Sequence, residues 1–578
     1  MTKFDPLGDL QGLLGPMSKG AKLGWKLGAA WRASRVRKAI EAEYGAEVAD
    51  AVAAAIRAGR DPRPIIEAAK RARTEAANRE KLLANPPPLH GSARWAGAAD
   101  LTRFLKGRAG FDHPRSILLG TFRNEDGLSA PAYFHWDDDG HLLSLAATRS
   151  GKAVTTIIPN LLRYRGSAVV LDPKGELYAA TSRWRAENVG PVYRIAPFDD
   201  GSNPATAGFP RHGFNPLARV RNQSDARALA EQLFPRDPKA AQFFTDEAVS
   251  FVTALIRFVI DTAPPERRNL VTVRKLAALP LPKFKALVGE MANSRIPAVR
   301  EAADNVLGKS EDRGLPNLRD TLHSKLAMWS DEQIQESLRA GDVVFEDLKN
   351  RPATVYVDVP FDLMTPYAPW LRVVLKSALD AMLRNTTVPE IPVLFVLDEF
   401  LALGPFAEFR DAIRTHAGAG VRLWFFLQDL GSLEEIYPGT GWRPFLNCSV
   451  KQFFGVDDPY TGELIGRYLG NATLAFRSTS AGTNVSAQQD NWLGDGGSAG
   501  TTLTTGESVQ FVGKPLLTPD EVMELLGAWQ PEGWRWGIVH TRGPRPAKLR
   551  LVPWTLSETC KARVGAYLPS PAPQGSPE

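Results

Sequence analysis

Short apolar runs alternate with helical stretches from about residue 140 onward. Within each run nearly every side chain is apolar, which is typical of strands that are buried on both faces of a parallel sheet. The runs are Leu142–Ala147, Ala168–Asp172, Thr354–Val359, Val393–Asp398 and Leu423–Gln428. Strands that alternate with helices predict an α/β layered fold with a mainly parallel sheet.

This strand pattern is absent between about residues 216 and 340. Apolar side chains there recur at the spacing of one helical face. Examples are Ala248, Phe251, Leu255 and Val259. The sequence therefore predicts an all-α domain at 216–340 that interrupts the α/β domain, whose two parts span 89–215 and 341–567.

The amino-terminal segment, residues 1–88, is predicted to be basic and mostly helical. Its first 38 residues carry eight basic and two acidic side chains. Leu23, Leu27 and Trp31 lie on one helical face, and two interpretations stay open. The segment is either an amphipathic helix on a membrane surface or a solvated arm with a few packed apolar residues.

Two other stretches differ in composition from the rest of the chain. Ser, Thr and Gly dominate residues 478–508, which predicts a long mobile loop. The tail at 568–578 is rich in Pro, Ser and Gly, and we expect it to be disordered.

Composition excludes several classes of protein. The 578-residue chain has two cysteines, so neither a disulfide framework nor a paired-cysteine metal site is available. No run approaches the ~20 apolar residues that cross a bilayer, and no apolar signal-peptide core is present. We therefore expect a cytoplasmic chain without a transmembrane segment. The net charge of +6 permits an anionic partner but does not require one.

A loop of small residues joins the first apolar run to a helical stretch. Such a loop directs backbone N–H groups at an anion, and its last lysine reaches the β- and γ-phosphates of a nucleotide. The predicted phosphate-binding residues are Thr148, Arg149, Ser150, Gly151, Lys152 and Ala153. For this loop alone, the alternative is a chance Gly-Lys pair after a strand.

The loop departs from the pattern G-x-x-x-x-G-K-[ST] at two positions. Ala146 replaces the first glycine, and Ala153 replaces the hydroxyl residue that usually binds Mg²⁺. Magnesium would then be held by carboxylates, water and nucleotide, or by Thr155 or Thr156 if the helix starts elsewhere.

A later apolar run ends in two acids, Asp398 and Glu399. At the carboxyl end of a parallel strand, such side chains emerge where α/β sheets bind ligands. Asp398 is predicted to hold Mg²⁺, and Glu399 to act as general base toward the attacking water. A solvated acidic turn is the alternative, and the phosphate loop in the same domain weakens it. The pair of motifs predicts an ATP site.

Polar residues also follow two other strands. Gln428 either senses the γ-phosphate or caps its strand. Asp172 either supports the site from behind or belongs to a turn with Pro173, and we favour the turn.

Eight short segments occur in one order between about residues 90 and 530. They are His90–Ala96, Ala147–Lys152, Ile158–Leu162, Leu171–Glu176, Phe214–Leu217, Leu397–Phe400, Gln428–Leu430 and Pro515–Val522. As a set they resemble the motifs of the TraG/VirD4-type coupling ATPases of conjugation and type IV secretion. The last segment also predicts a capping box at Thr518 and Glu521, with Pro519 at the first helical position.

The resemblance implies a RecA-like P-loop NTPase domain that assembles into a homo-hexameric ring. It implies ATP and Mg²⁺ as cofactors, with Lys152 on phosphate, Asp398 and Glu399 on Mg²⁺ and water, and Gln428 sensing the nucleotide state. The all-α domain is expected to recruit substrate. An arginine supplied by the neighbouring subunit is expected shortly before the strand that ends at Gln428, where Arg414 and Arg422 are the candidates.

The resemblance also implies partners and a location. The partners are single- or double-stranded DNA, a relaxase or other secretion substrate, and the membrane components of a type IV secretion system. Because the sequence lacks the transmembrane helices that usually begin this family, we expect a peripheral position at the inner face of the bacterial plasma membrane. The chain would dock there to a separate membrane subunit or through its basic amino-terminus, and action away from the envelope is the alternative.

The expected function is an ATP-hydrolysing, DNA-dependent coupling protein that drives DNA, nucleoprotein or protein into a conjugation channel. A duplex-DNA translocase of the FtsK/HerA kind is one alternative. A non-hydrolysing adaptor that recruits secretion substrates is another, motivated by Ala146 and Ala153 and opposed by the Asp398–Glu399 pair.

Overall fold

The computed structural model describes residues 36–105, 110–122, 132–203, 206–234, 242–487, 499–543 and 545–564. The chain divides into two compact units, one formed by residues 1–93 with 470–516 and the other by residues 94–469 with 517–578. The apolar face at Leu23, Leu27 and Trp31 and the tail at 568–578 lie outside the described residues. Nowhere in the described ranges is a helix both long and apolar enough to cross a bilayer.

The strands are numbered in chain order. They are β1 (Ile117–Phe122), β2 (Ala132–Trp136), β3 (Leu142–Leu145), β4 (Ala168–Leu171), β5 (Val192–Ile195), β6 (Thr354–Val357), β7 (Val393–Leu397), β8 (Val421–Leu427), β9 (Val450–Phe453), β10 (Asn471–Ala487), β11 (Ala499–Pro515), β12 (Arg535–Thr541) and β13 (Ala547–Leu551).

The helices are numbered in the same way, and residues 36–44 are also helical. They are α1 (Ala46–Arg57), α2 (Arg63–Ala84), α3 (Ile158–Leu161), α4 (Glu176–Asn188), α5 (Gln223–Leu233), α6 (Gln242–Thr262), α7 (Leu270–Ala277), α8 (Leu281–Ala292), α9 (Pro297–Leu307), α10 (Gly314–Lys325), α11 (Glu332–Ser337), α12 (Phe361–Met364), α13 (Ala368–Arg384), α14 (Ala407–Thr415), α15 (Leu430–Ile436), α16 (Pro459–Leu469), α17 (Pro519–Gly527) and α18 (Glu558–Val564).

A sheet of 11 strands forms the centre of the larger unit. Its order is β2-β1-β13-β12-β9-β3-β8-β7-β4-β6-β5. The strands from β9 to β5 in this order are parallel, and β12, β13, β1 and β2 extend it in antiparallel pairs. The predicted α/β class with a mainly parallel sheet is confirmed.

The apolar runs form the central strands of the sheet, and these strands are covered on both faces. Every residue of β7 and β8 is buried, as is every residue of β4 and β6. Asp172, Asp398 and Gln428 lie just beyond the ends of β4, β7 and β8, and parallel pairing brings these ends to one edge.

Residues 216–340 carry helices between β5 and β6. Helices α5 to α11 lie in this stretch, and its described residues contain no strand. Phe251 and Leu255 of α6 and Phe284 of α8 are each at most 2% exposed, and the rings of Phe251 and Phe284 are in contact. These contacts give the insertion an apolar core of its own.

The smaller unit contains α1, α2 and a long hairpin of β10 and β11. The ladder pairs every residue from Asn471 with Pro515 to Ala487 with Ala499. The predicted loop at 478–508 was therefore wrong for residues 478–487 and 499–508, while 488–498 lie outside the described residues. The Thr-rich strands have the β-propensity for pairing but no clear apolar alternation, so their composition resembles that of a loop.

The hairpin also corrects a predicted boundary. Residues 470–516, placed by sequence in the second part of the nucleotide-binding domain, group with the amino-terminal segment instead. Within this unit, Thr473 Oγ1 accepts a hydrogen bond from the N–H of His90 at 3.0 Å. The His90–Ala93 part of the first resembling segment thus runs beside the base of the hairpin.

Arg422, near the start of β8, is an internal cross-link of the larger unit. It is 1% exposed, and its guanidinium donates to the carbonyl of Arg115 at 2.7 Å and to those of Asp137 and Asp138 at 3.1 Å each. It also stacks over Trp136. A side chain held this way cannot extend to a neighbouring subunit, so Arg422 is not the arginine expected in trans.

We predict that Arg422→Met lowers the free energy of unfolding by about 3 kcal/mol, because three buried carbonyls lose their donor. Arg414→Ala, at an exposed position, should change it by less than ~0.5 kcal/mol. Urea unfolding followed by circular dichroism measures both. Equal midpoints for the two variants would contradict the assigned role of Arg422.

Candidate nucleotide site

Four neighbouring strands bring the predicted site residues to one edge of the sheet. The order β3-β8-β7-β4 is continuous, and Leu145 of β3 pairs with Leu427 of β8. On the other side of β8, Leu397 of β7 pairs with Phe425. Because all these strands are parallel, the segments that follow them leave the sheet together.

The phosphate loop is wound tightly between β3 and a short π-helical turn, Ala153–Ile157. Gly151 has φ 83° and Arg149 has φ 61°. The second non-glycine residue with a left-handed backbone, among those described, is Glu399 at φ 53°. Left-handed non-glycine residues cost energy and persist where the surrounding structure holds them, often at functional sites.

A continuous chain of polar contacts links the predicted residues. Lys152 Nζ lies 2.9 Å from Asp398 Oδ1 and donates a hydrogen bond to Glu399 Oε1. Gln428 Nε2 donates to Glu399 Oε2 at 3.0 Å, and Thr148 Oγ1 donates to Gln428 Oε1 at 3.0 Å. The loop, the two acids and the amide at the end of β8 thus form one network.

The network is largely shielded from water. The side chains of Lys152, Asp398 and Glu399 are 15%, 12% and 21% exposed. Burial opposes a charge on Lys152, but the two carboxylates outweigh it and raise the pKa of the ammonium group. Burial raises the pKa of Asp398, and the attraction of Lys152 offsets only part of that rise. One cation therefore faces two acids at the sheet edge.

The oxygen atoms at this edge fit a hard divalent cation. Asp398 follows β7 directly, and its Oδ1 atom has ion-pair contact with Lys152 but no hydrogen-bond donor among the described residues. Such an oxygen suits Mg²⁺. Thr155 Oγ1 donates to the Gly151 carbonyl at 2.9 Å and contacts Thr156 Oγ1, so these hydroxyls serve the loop rather than replace the one missing at Ala153.

A comparison with known proteins identifies the family of this chain. Residues 101–574 match the family described as Type IV secretory system Conjugative DNA transfer. The match covers most of the chain. The chain belongs to this conjugative DNA-transfer family.

Its relatives include two kinds of conjugation protein. The chain is 28% identical over 501 residues to Protein VirD4 of Agrobacterium fabrum, covering 84% of this chain and 69% of VirD4. It is 25% identical over 477 residues to the conjugal transfer protein TraG of Escherichia coli, covering 76% and 72%. The predicted resemblance to TraG/VirD4 coupling proteins is confirmed.

The fold is similar to that of solved conjugative coupling proteins. TrwB in complex with a non-hydrolysable ATP analogue superposes with a TM-score of 0.55 at 15% identity, over 79% of this chain and 93% of the TrwB chain. At that identity the likeness concerns the fold, and it confirms the predicted RecA-like P-loop fold.

One sequence candidate, Arg414, lies away from the network. Arg414 is exposed in the last turn of α14, and the adjacent His416 carbonyl accepts from the N–H of Val421 at the start of β8. Gln428 follows the other end of β8, seven residues of strand and so roughly 20 Å away. Arg414 therefore does not reach the Lys152 network of its own chain.

Asp172 lies at the site edge but has a different partner. It follows β4, which pairs with β7, and is 1% exposed. Its Oδ2 atom accepts from the N–H of Tyr178 at 2.8 Å, in the first turn of α4. The carboxyl group thus anchors the start of a helix beside the site.

Two residues that contact the phosphate loop were not predicted from the sequence. Arg535, at the start of β12, donates to the Ser150 carbonyl at 2.6 Å, and Trp529 lies against Gly151. Both are more than 370 residues away along the chain. Their local context, an apolar strand and a turn, shows no pattern that points to a nucleotide.

Asp172 generates a pH-dependent prediction. Burial raises its pKa to about 8, and the nearby Asp358 carboxylate adds to the rise. Between roughly pH 4 and pH 8 the folded state then binds a proton that the unfolded chain has released, so this group lowers the free energy of unfolding as pH rises. Asp172→Asn removes the ionisation and should gain stability relative to wild type from pH 6 to pH 9.

Melting temperatures of both proteins across this pH range measure the effect. The exposed Asp320→Asn in α10 is the control, and its difference from wild type should not vary with pH. A constant difference for Asp172→Asn as well would contradict the assignment.

Proposed function

We propose that this chain binds ATP with Mg²⁺ and hydrolyses it to drive DNA or a nucleoprotein into a type IV secretion channel. The observation that carries the proposal is the contact network of Lys152, Asp398, Glu399, Gln428 and Thr148 at one sheet edge. A loop lysine beside a strand-end acid pair is the arrangement that phosphoryl transfer requires.

Each side chain has a distinct task in this proposal. Lys152 binds the phosphates and neutralises their charge, and Asp398 supplies the oxygen ligand for Mg²⁺, which stabilises charge on the β- and γ-phosphates. When Lys152 turns to the phosphates, the Glu399 carboxylate is released to accept a proton from the attacking water. Gln428 contacts both Glu399 and Thr148, so it can transmit the state of the loop to the base.

The relatives support the wider role. VirD4 and TraG carry names of conjugal transfer and type IV secretion coupling, and TrwB was solved with an ATP analogue and with ADP and Mg²⁺. For this chain we propose the same nucleotide chemistry, a homo-hexameric ring, and DNA with a relaxase or other cargo as substrate. A peripheral position at the inner membrane face, beside the channel subunits, completes the proposal.

Lys152→Ala is expected to abolish DNA-stimulated phosphate release, because the loop loses its charge on the phosphates. Glu399→Gln should reduce turnover at least ~100-fold while nucleotide binding is retained, since only the proton acceptor is lost. Turnover by malachite-green assay and binding by calorimetry with ADP and Mg²⁺ separate the two effects.

The exposed Lys275→Ala in α7 is the matched lysine control and should leave turnover unchanged. Wild-type protein that binds nucleotide without turnover, with or without DNA, would favour a substrate-recruiting adaptor. Processive movement on intact duplex by the protein alone would favour a FtsK/HerA-like translocase.

We further propose that Arg414 acts in trans, on the nucleotide of the neighbouring subunit. Arg414→Ala should lower turnover at least ~100-fold without weakening nucleotide binding, because an arginine of this kind stabilises the transition state alone.

Mixing two inactive variants tests the trans geometry. In an equimolar mixture of Lys152→Ala and Arg414→Ala, about one quarter of the interfaces join an intact loop to an intact arginine. Activity should therefore return in the mixture, to about a quarter of wild type. A mixture as inactive as its components would exclude Arg414 as the trans residue.

A further inference from the structure

Arg535 is a buried cation directed at the phosphate loop. It is 1% exposed, and its guanidinium donates to the carbonyls of Ser150 and Leu526 at 2.6 Å each and of Gly527 at 3.1 Å. No carboxylate in the described part of the chain forms an ion pair with it. Burial lowers its pKa to about 10, so it remains protonated at neutral pH. Burying a charge without an acidic partner lowers the stability of the fold, so the presence of one here indicates a role for the residue.

The contact with the Ser150 carbonyl fixes the direction of the next N–H group. In a planar trans peptide the C=O and N–H bonds point to opposite sides. Since the Ser150 carbonyl accepts from Arg535, the Gly151 N–H points away from that guanidinium. None of the described residues accepts a hydrogen bond from this N–H. An N–H directed this way is the donor that phosphate loops present to an anion.

Trp529 packs against the same peptide at Gly151. A Cβ added at Gly151 would lie 2.7 Å from two ring carbons of Trp529, so the indole contacts the loop at this glycine. The Arg535 guanidinium stacks over the same ring, 4.9 Å from its centroid, and the backbones of the two residues pair. Rotation of the Ser150–Gly151 peptide would have to displace both side chains.

Gly455 connects the loop and these two side chains to the sheet. The Gly455 carbonyl, beyond β9, accepts from the N–H of Ala147 at 3.2 Å, and its N–H donates to Leu526 at 2.9 Å. A Cβ at Gly455 would lie 2.3 Å from Ser150 Cβ. The loop, Gly455 and the end of α17 are therefore packed as one body around Arg535.

We propose that Arg535 and Trp529 are positioning residues of the nucleotide site. They hold the Ser150–Gly151 peptide with its N–H toward the phosphates, and so set the affinity of the loop for a nucleoside di- or triphosphate. The inference rests on the proposed function, because it assigns the geometry of the same phosphate site. It concerns binding, so it predicts an effect on nucleotide affinity and KM that exceeds any effect on kcat.

Arg535→Lys tests the proposal, because lysine keeps the charge but cannot donate to Ser150, Leu526 and Gly527 at once. The Kd for ADP with Mg²⁺, measured by calorimetry on the full chain, should rise about tenfold, as for the loss of one well-placed donor. KM for ATP should rise by a similar factor, and kcat at saturation should fall less than ~3-fold.

Arg422→Lys is the matched control, because Arg422 is equally buried and also donates to three carbonyls, far from the loop. It should lower the unfolding midpoint as Arg535→Lys does but leave the Kd within twofold of wild type. If Arg535→Lys does not fold, the 39% exposed Trp529 provides the second test. Trp529→Ala should then raise the Kd, and Trp529→Phe should restore most of the affinity.

The outcomes separate the two proposals. Wild-type protein that binds no ADP or ATP would overturn the proposed function together with this inference. Wild-type binding with an unchanged Kd in Arg535→Lys, or in Trp529→Ala if the first variant does not fold, would overturn the positioning role alone. An equal rise in Kd for Arg422→Lys would also overturn it, since the effect would then be one of general stability.

Discussion

One lysine held between two carboxylates at the edge of a buried sheet is the interaction on which the rest of the site depends. Lys152 contacts both Asp398 and Glu399, and all three side chains are mostly shielded from water. A buried ion pair is sensitive to the loss of either member, because the remaining charge is left without compensation. The two acids exceed the single cation, so this edge attracts further positive charge. In the proposed function, a divalent cation satisfies that excess while the phosphates recruit the lysine.

The sheet produces this meeting of charges through its register. The phosphate loop, the Asp398–Glu399 pair and the Gln428 amide follow β3, β7 and β8, which are neighbours in the sheet. These strands are buried on both faces, so a charged group within them needs buried partners, as Arg422 of β8 has in three backbone carbonyls. The site residues instead lie past the strand ends, and parallel pairing brings those ends to one edge. The functional residues thus follow from the same burial that stabilises the fold.

The features that could be predicted from the sequence are those that depend on a local pattern of residues. The central strands appear as continuous apolar runs, and the Thr518–Glu521 capping box forms as its spacing predicts. The meeting of Lys152 with Asp398 also follows, since parallel strand ends share an edge. The hairpin at 471–515 could not be recognised, because its polar strands are stabilised by pairing rather than by a buried apolar face. Arg422, Arg535 and Trp529 acquire their roles only through partners distant in sequence, which no local pattern specifies.

The departures of the phosphate loop from the common pattern are understandable once those distant partners are considered. Ala146 occupies the first glycine position without strain, because its N–H still pairs with the Leu427 carbonyl and continues the sheet. The left-handed turns fall later, at Arg149 and Gly151, where Arg535 and Trp529 hold the backbone from outside. The hydroxyl missing at Ala153 would have contributed one magnesium ligand, and the acid pair beside Lys152 already supplies oxygen at that edge. The loop therefore relies less on its own glycines and hydroxyl than on packing against β12 and the acids that follow β7.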